Sequence, residues 1–322
     1  MKPLAITMGD PTGIGPEVIL KAAMQRHHDG HGWLYVGDPD ILTWSARQLN
    51  LELPDQAFAI LPTRHRVNLG RLQLGQPDPD HAATIIESIE VACQLALSGE
   101  ALAVTTAPIH KASLHAAGIT MPGHTEYIAH LTHRAHPVMM LVGGDLRVVP
   151  ATIHQSLASV AATLSPELLR QVINTLLTAL QRDFAVTMPR IAVTGLNPHA
   201  GENGSFGREE IEIIQPVCQQ LAQQLPPHTI DGPLSADSLF HASRRCHYDA
   251  IVCMYHDQAL IPIKMLAFGA AVNVTLGLPI VRTSVDHGTA HDIAGRGQAN
   301  PESLLQATRL ASSIATNRQQ SP

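Results

Sequence analysis

Three histidines close three short apolar runs. His154 follows Leu146–Ile153, His199 follows Ile191–Pro198, and His256 follows Ala250–Tyr255. Runs of this kind that stop at polar residues predict buried parallel strands, each opening into a polar loop. In open α/β sheets, ligands bind outside the carboxyl ends of the strands. Three imidazoles delivered there can hold a zinc-like cation and leave one position open for substrate. His154, His199 and His256 are therefore candidate metal ligands. The chain holds 19 histidines, so strand-end placement also arises without a metal.

Lys264, Asn273 and Arg282 sit among apolar residues of the last third. Cations in such surroundings meet a buried acid or an anionic ligand. A phosphate would satisfy both cations and the amide. Ion pairing with Asp257 or Asp286 would satisfy the cations equally well. Pro122-Gly123-His124-Thr125-Glu126 is expected to be an exposed turn entering a helix, with Thr125 as its cap. A helix start suits an anion, and a cap beside a surface histidine is the plainer reading. Gly9-Asp10-Pro11-Thr12-Gly13-Ile14-Gly15-Pro16-Glu17 joins a strand to a helix. It fits neither the dinucleotide fingerprint nor the phosphate-loop pattern. It is either a ligand loop or a plain strand–helix turn.

The composition narrows the classes. The 322 residues are 45% hydrophobic but only 3% aromatic, so an ample core must be aliphatic. The net charge of −6 and the lack of a basic run argue against nucleic-acid binding, and an anionic substrate needs local cations. Cys93, Cys218, Cys246 and Cys253 show no C-x-x-C spacing and read as reduced thiols of a cytoplasmic protein. No apolar run approaches membrane-spanning length, and none is expected to be a signal peptide.

Strand-like and helix-like segments alternate. Strands are expected at 4–8, 33–36, 58–61, 102–106, 138–142, 146–153, 191–196 and 250–255. Helices are expected at 16–24, 80–97, 125–132, 166–183, 207–224 and 301–316. Gly143-Gly144-Asp145 signals a hairpin, and Ser165 a helix cap. The alternation implies an α/β fold with doubly wound, mainly parallel sheets.

The run from Asp286 to Pro301 is too glycine-rich for a helix in its second half. It resembles the adenosine-binding loop of isopropylmalate and isocitrate dehydrogenases, H-G-[ST]-A-x-D-I-A-G-x-G-x-A-N-P. In those enzymes this loop replaces the usual dinucleotide fingerprint. Further segments extend the likeness: Met8–Pro11 with Gly13–Glu17, Gly123–Glu126, Leu196–Glu202, Gly232–Leu234 with Ala236-Asp237, Met254–Gln258, and Asn273–Pro279. Together they resemble the 4-hydroxythreonine-4-phosphate dehydrogenase family of vitamin B6 synthesis.

The resemblance implies an isocitrate dehydrogenase-like fold of two interleaved α/β/α domains with an active-site cleft between them. The expected division is 1–125 with 280–322 for NAD, and 126–279 for metal, substrate and dimerisation. It implies a divalent cation (zinc, magnesium or cobalt) on His154, His199 and His256. Substrate contacts are implied at His124, Thr125, Lys264, Asn273 and Arg282. His287, Gly288, Ala290, Asp292 and Asn300 are expected to bind NAD. Asp292 would face the ribose hydroxyls, and Arg296 would leave NADP partly tolerated. Asp257 and Asp237 are the candidate catalytic acids, each either a base or an orienting partner of an imidazole. A homodimer sharing its metal site between subunits is also implied, with neither membrane nor nucleic acid as a partner.

Thr12 replaces a usual Ala, and Asn203 stands where many members have Gly or Asp. A related branch that oxidises threonate or erythronate 4-phosphate also carries Gly-Glu-Asn-Gly, so that substrate class is the alternative. A metal-dependent hydrolase and a non-catalytic phosphate binder are the readings from other classes.

Overall fold

The computed structural model describes residues 2–25, 31–54, 58–119, 123–134 and 136–320. Pro122 of the expected turn lies outside them. The strands in chain order are β1 (Leu4–Thr7), β2 (Trp33–Gly37), β3 (Phe58–Pro62), β4 (Ala103–Thr106), β5 (Val138–Gly143), β6 (Leu146–Pro150), β7 (Arg190–Thr194), β8 (Thr229–Leu234), β9 (Ala250–Cys253), β10 (Val272–Leu276) and β11 (Arg282–Val285). The longer helices are α1 (Gly15–Gln25), α2 (Pro39–Leu49), α3 (Ala82–Leu97), α4 (His124–Leu131), α5 (Pro166–Arg182), α6 (Gln215–Gln224), α7 (His256–Ala267) and α8 (Glu302–Gln320).

The chain divides into two compact units, Met1–Pro137 with Leu278–Thr316, and Val138–Gly277 with Asn317–Pro322. In the first unit the strand order is β3-β2-β1-β4-β11, and every pairing is parallel. Leu4, Ile6, Ile19, Leu20, Ile85 and Ile89 are fully buried around that sheet. The aliphatic core follows from the scarcity of aromatic residues. In the second unit the order is β10-β5-β6-β9-β7-β8. There β5 is antiparallel to β10 and β6, and the pairs β6–β9, β9–β7 and β7–β8 are parallel. Its core joins Leu141, Val148, Ala192 and Ile251 of the sheet to Ala259 and Ile263 of α7.

Local signals act as expected in several places. Ser165 Oγ accepts from Leu168 N at 3.2 Å and starts α5. Gly144, at φ 57°, turns the β5–β6 hairpin. Other expectations are corrected. β8, β10 and β11 are strands the apolar pattern did not predict. α4 starts one residue early, capped by Gly123 with no side-chain bond, so Thr125 lies inside its first turn. His256 opens α7 rather than a polar loop, since Tyr255 is the extended residue before it. Residues 207–224 do not form one α-helix, because Glu210–Ile214 is a π-helical turn ahead of α6. Among the described residues no helix is long and apolar enough to cross a membrane.

Candidate functional site

In the second unit, β6, β7 and β9 are parallel neighbours, so their carboxyl ends share one edge. His154 lies four residues beyond β6, and His256 follows β9 at the start of α7. Their ring centroids are 5.8 Å apart with planes inclined at 46°. With metal–nitrogen bonds of about 2.0–2.1 Å, two imidazoles on one cation stand at roughly this separation. Both rings line a cleft of ≈ 420 Å³ with Tyr255, Asp257, Gln155 and Ser156. His256 Nδ1 meets Asp257 Oδ1 at 2.7 Å. A carboxylate can only accept, so this contact favours the proton on Nδ1 and leaves the Nε2 lone pair available.

His199 follows β7 and does not complete a cluster with these two. Among the described residues no group of three His, Cys, Asp or Glu side chains stands close enough to hold a metal ion. His199 Nδ1 lies 3.8 Å from Asp237 Oδ2. The Ser235 hydroxyl, donating at 2.6 Å, is the main reason Asp237 is held below the usual carboxylate range, with the Ser238 backbone N–H adding to it. Each candidate acid thus faces an imidazole.

The backbone carrying His199 is unusual. His199, Ala200, Gly201, Glu202 and Asn203 all have positive φ, from 44° to 79°. A left-handed run costs about 1–2 kcal/mol for each residue with a side chain, so the surroundings must enforce it. Gln258 ties the strand ends beneath it. Its Oε1 accepts from Thr194 Oγ1 and Met254 N, both at 2.7 Å, and its Nε2 donates to Gly195 O at 2.9 Å.

Two other predicted substrate residues belong to this unit. Lys264 is half-buried in the last turn of α7, and Asn273 is on β10 opposite Leu141. Asn273 Oδ1 is buried with no hydrogen-bond partner among the described residues. A buried unsatisfied acceptor is rare, and this one remains able to accept a hydrogen bond.

In the first unit, Arg282 opens β11 and is 2% exposed. Its Nη2 donates to Thr106 Oγ1 at 2.8 Å and its Nη1 to Thr125 Oγ1 at 3.3 Å. Burial lowers its pKa to about 10, so it remains a cation at neutral pH. His124, expected at the surface, is half-buried. Burial, and then the Arg282 and Lys111 charges, hold its pKa well below the usual histidine value. Its Nε2 is buried without a hydrogen-bond partner among the described residues. A neutral imidazole, a hydroxyl and a buried guanidinium together suit a polyanionic group.

The 286–300 segment belongs to the same unit. His287 Nδ1 is 3.0 Å from Gly288 O, and its Nε2 is buried with no hydrogen-bond partner among the described residues. Ala290 is left-handed at φ 42°, Asp292 is exposed on the turn His291–Ile293, and Gly288 faces open space. Asn300 Oδ1 accepts from Glu302 N at 2.9 Å and so caps α8. An exposed carboxylate and a free imidazole nitrogen fit the hydroxyls and amide of a dinucleotide.

The Gly9–Glu17 loop, left undecided by its pattern, supports this segment. Ile14 N donates to Thr289 O at 2.9 Å. A Cβ on Gly13 would stand 2.7 Å from that carbonyl, which explains the glycine. Thr12 Oγ1 donates to Asp10 Oδ1 at 2.6 Å and lies 3.2 Å from His291 Nε2. Glu17 accepts from Ala299 N, while Lys21 Nζ donates to Gly297 O at 2.7 Å and Ala299 O at 2.9 Å. Sequence reasoning missed Glu17, Lys21 and His291. The Glu17–Lys21 spacing reads only as a helix-surface pair.

Comparison with known proteins identifies the family. The profile of the family described as pyridoxal phosphate biosynthetic protein PdxA matches residues 30–311. The 4-hydroxythreonine-4-phosphate dehydrogenase of Caulobacter vibrioides is 46% identical, with 98% of each chain covered. That of a Ruegeria species is 47% identical, again with 98% of each covered. The crystal structure of the Klebsiella pneumoniae 4-hydroxythreonine-4-phosphate dehydrogenase superposes with a TM-score of 0.86 at 37% identity, covering 98% of this chain and 100% of that one. An isocitrate dehydrogenase from Methylococcus capsulatus, 12% identical, shares the fold alone, with a TM-score of 0.52 over 99% of this chain and 87% of its own. The chain is an oxidoreductase and belongs to the PdxA family of 4-hydroxythreonine-4-phosphate dehydrogenases.

Proposed function

We propose that this protein oxidises 4-phosphohydroxy-L-threonine with NAD, in pyridoxal phosphate biosynthesis. The product is a β-keto acid that loses CO2 to give 3-amino-1-hydroxyacetone phosphate. The observation that carries this reading is the His154–His256 pair, in a chain whose relatives carry the dehydrogenase name. When bound, a divalent cation (zinc, magnesium or cobalt) supplies Lewis acidity to the substrate hydroxyl, and NAD accepts the hydride.

The chain's own groups would do the rest. His154, His199 and His256 are the ligands of the cation. Asp257 orients His256, and Asp237 orients His199. The 2.7 Å hydrogen bond of Asp257 to His256 supports this role over that of general base, and Asp237 supports it only as a charge 3.8 Å from His199. Arg282, Lys264 and Asn273 contact the substrate phosphate, with His124 and Thr125 beside Arg282. A fixed polyanion sets the register of the reacting carbon. The first unit binds NAD through His287, Gly288, Ala290, Asp292 and Asn300. The carboxylate of Asp292 accepts from the ribose hydroxyls and disfavours the 2′-phosphate of NADP.

The second unit would carry the metal, the substrate contacts and the dimer contact of a cytoplasmic homodimer. Met265 is 81% and Phe268 86% exposed at the end of α7, with Ile261 and Leu266 also exposed. An apolar patch of this kind supports a protein partner. His199 stands outside the cluster of one chain, which supports its service in a site shared with a second copy.

The test is NADH formation at 340 nm with 4-phosphohydroxy-L-threonine, threonate 4-phosphate and erythronate 4-phosphate, each with NAD and with NADP. The first substrate with NAD should give the highest kcat/KM. A higher value with either sugar acid would assign the protein to that branch. Binding without NADH formation would leave a phosphate binder.

A further inference from the structure

We propose that Glu210 is a positioning residue for His199, holding the left-handed turn that presents this imidazole; the proposal rests on the reading of His199 as a metal ligand. Glu210 is 2% exposed, an unusual place for a carboxylate. Its Oε1 accepts from Asn197 N at 2.7 Å, and its Oε2 from Asn197 Nδ2 at 3.0 Å. Both oxygens therefore grip one residue, two positions before His199.

The same carboxylate lies against the other side of the turn. A Cβ on Gly201 would stand 2.6 Å from Glu210 Oε2, and Gly201 is also left-handed at φ 79°. A Cβ on Gly195 would stand 3.1 Å from Oε1. Residues on both sides of His199 thus close around one buried carboxyl group. Glu209 Oε2 takes the same Asn197 Nδ2 at 2.7 Å, so the amide cannot rotate away.

Glu210 begins the π-helical turn Glu210–Ile214, a widened turn of the kind that recurs at functional sites. The wider turn sets the point from which the carboxylate enters. Four side-chain-bearing residues in left-handed conformation do not persist without such enforcement. What the clamp holds is His199 itself, exposed at the end of β7. Groups that orient a metal ligand typically change affinity 10- to 100-fold when lost.

The experiment titrates Co2+ into the chelator-stripped full chain, reading visible absorption, with the apo thermal midpoint recorded in parallel. Glu210→Gln keeps the shape but turns an amide donor toward Asn197 Nδ2. It should weaken Co2+ binding about 10- to 100-fold. In a His199→Ala background the same change should add nothing, because the ligand it serves is gone. Equal losses in both backgrounds would mean general destabilisation and would overturn the proposal. Unchanged Co2+ affinity in Glu210→Gln, with affinity lost in His199→Ala, would overturn it and leave the metal reading intact. Wild-type Co2+ binding by His199→Ala would overturn both. If Glu210→Gln does not fold, Asn197→Ser decides: weaker Co2+ binding supports the clamp, and unchanged binding overturns it.

Discussion

Glu17 Oε1 accepts a hydrogen bond from Ala299 N at 2.8 Å, linking the first helix to the loop before the last. Lys21 lies one turn on, 2.8 Å from the same carboxylate, and donates to Gly297 O and Ala299 O. The loop proposed to receive NAD is thus held by α1 through contacts within the chain. Preorganisation of this kind lowers the entropy lost on binding.

Lys21→Met removes the two carbonyl contacts and the ion pair while keeping the aliphatic stem. Each charge-assisted bond contributes about 1.5–3 kcal/mol, part of it shared with NAD binding. The NADH dissociation constant should rise about tenfold, or ~1.4 kcal/mol, with kcat little changed. Fluorescence titration of NADH measures it. An unaltered constant would mean the loop keeps its shape without this tie.

Arg282→Lys should not be conservative. One ammonium cannot reproduce the fork to Thr106 and Thr125. The expected loss in kcat/KM for the phosphorylated substrate is on the order of 10- to 100-fold, against little change for an unphosphorylated analogue. An equal loss for both would remove Arg282 from the phosphate. The pH dependence has a definite sign. Burial lowers the folded pKa to about 10, so the cost of burying the cation is fully present at neutral pH. It is relieved as pH rises through about 10. Affinity for the phosphorylated ligand should therefore weaken near that pH, where the cation is lost.

His124 gives a second signature. Its folded pKa lies below its unfolded value because burial penalises the charged form, with Arg282 and Lys111 adding to the effect. The neutral ring's contribution to stability is thus present above the ordinary histidine pKa. It is lost as pH falls below that value, because only the unfolded chain takes up the proton. In urea unfolding at pH 7.5 and 5.5, His124→Gln should lose less stability over this interval than the wild-type chain. Identical losses would show that His124 titrates normally.

Complementation tests the shared metal site. His199→Ala and His256→Ala homodimers should each be inactive. Random reassortment gives half heterodimers, each with one intact site if His199 serves the other chain's pair, so activity should return to about a quarter of wild type. If all three ligands belong to one chain, both heterodimer sites are damaged and mixing restores nothing.

Contiguous or periodic features were legible in the residues themselves. The run from His287 to Asn300 is one uninterrupted segment, so the family resemblance it carries could be seen in chain order alone. The histidines stand at the ends of apolar runs, and a run's end can be read from chain order. β8 was not legible, because Asp231, Gly232 and Pro233 interrupt its pattern. It lies at an edge of its unit's strand order, where proline is tolerated. Pro262 likewise hid α7. Only the tertiary structure brought His154 beside His256 and left His199 apart. Only it placed Thr106 and Thr125 on Arg282, Glu17 on Ala299, and Glu210 inside the turn of His199. These pairings join residues far apart in the chain or depend on one unusual backbone path. Side-chain chemistry states what each group can accept or donate, and packing decides which partner it meets.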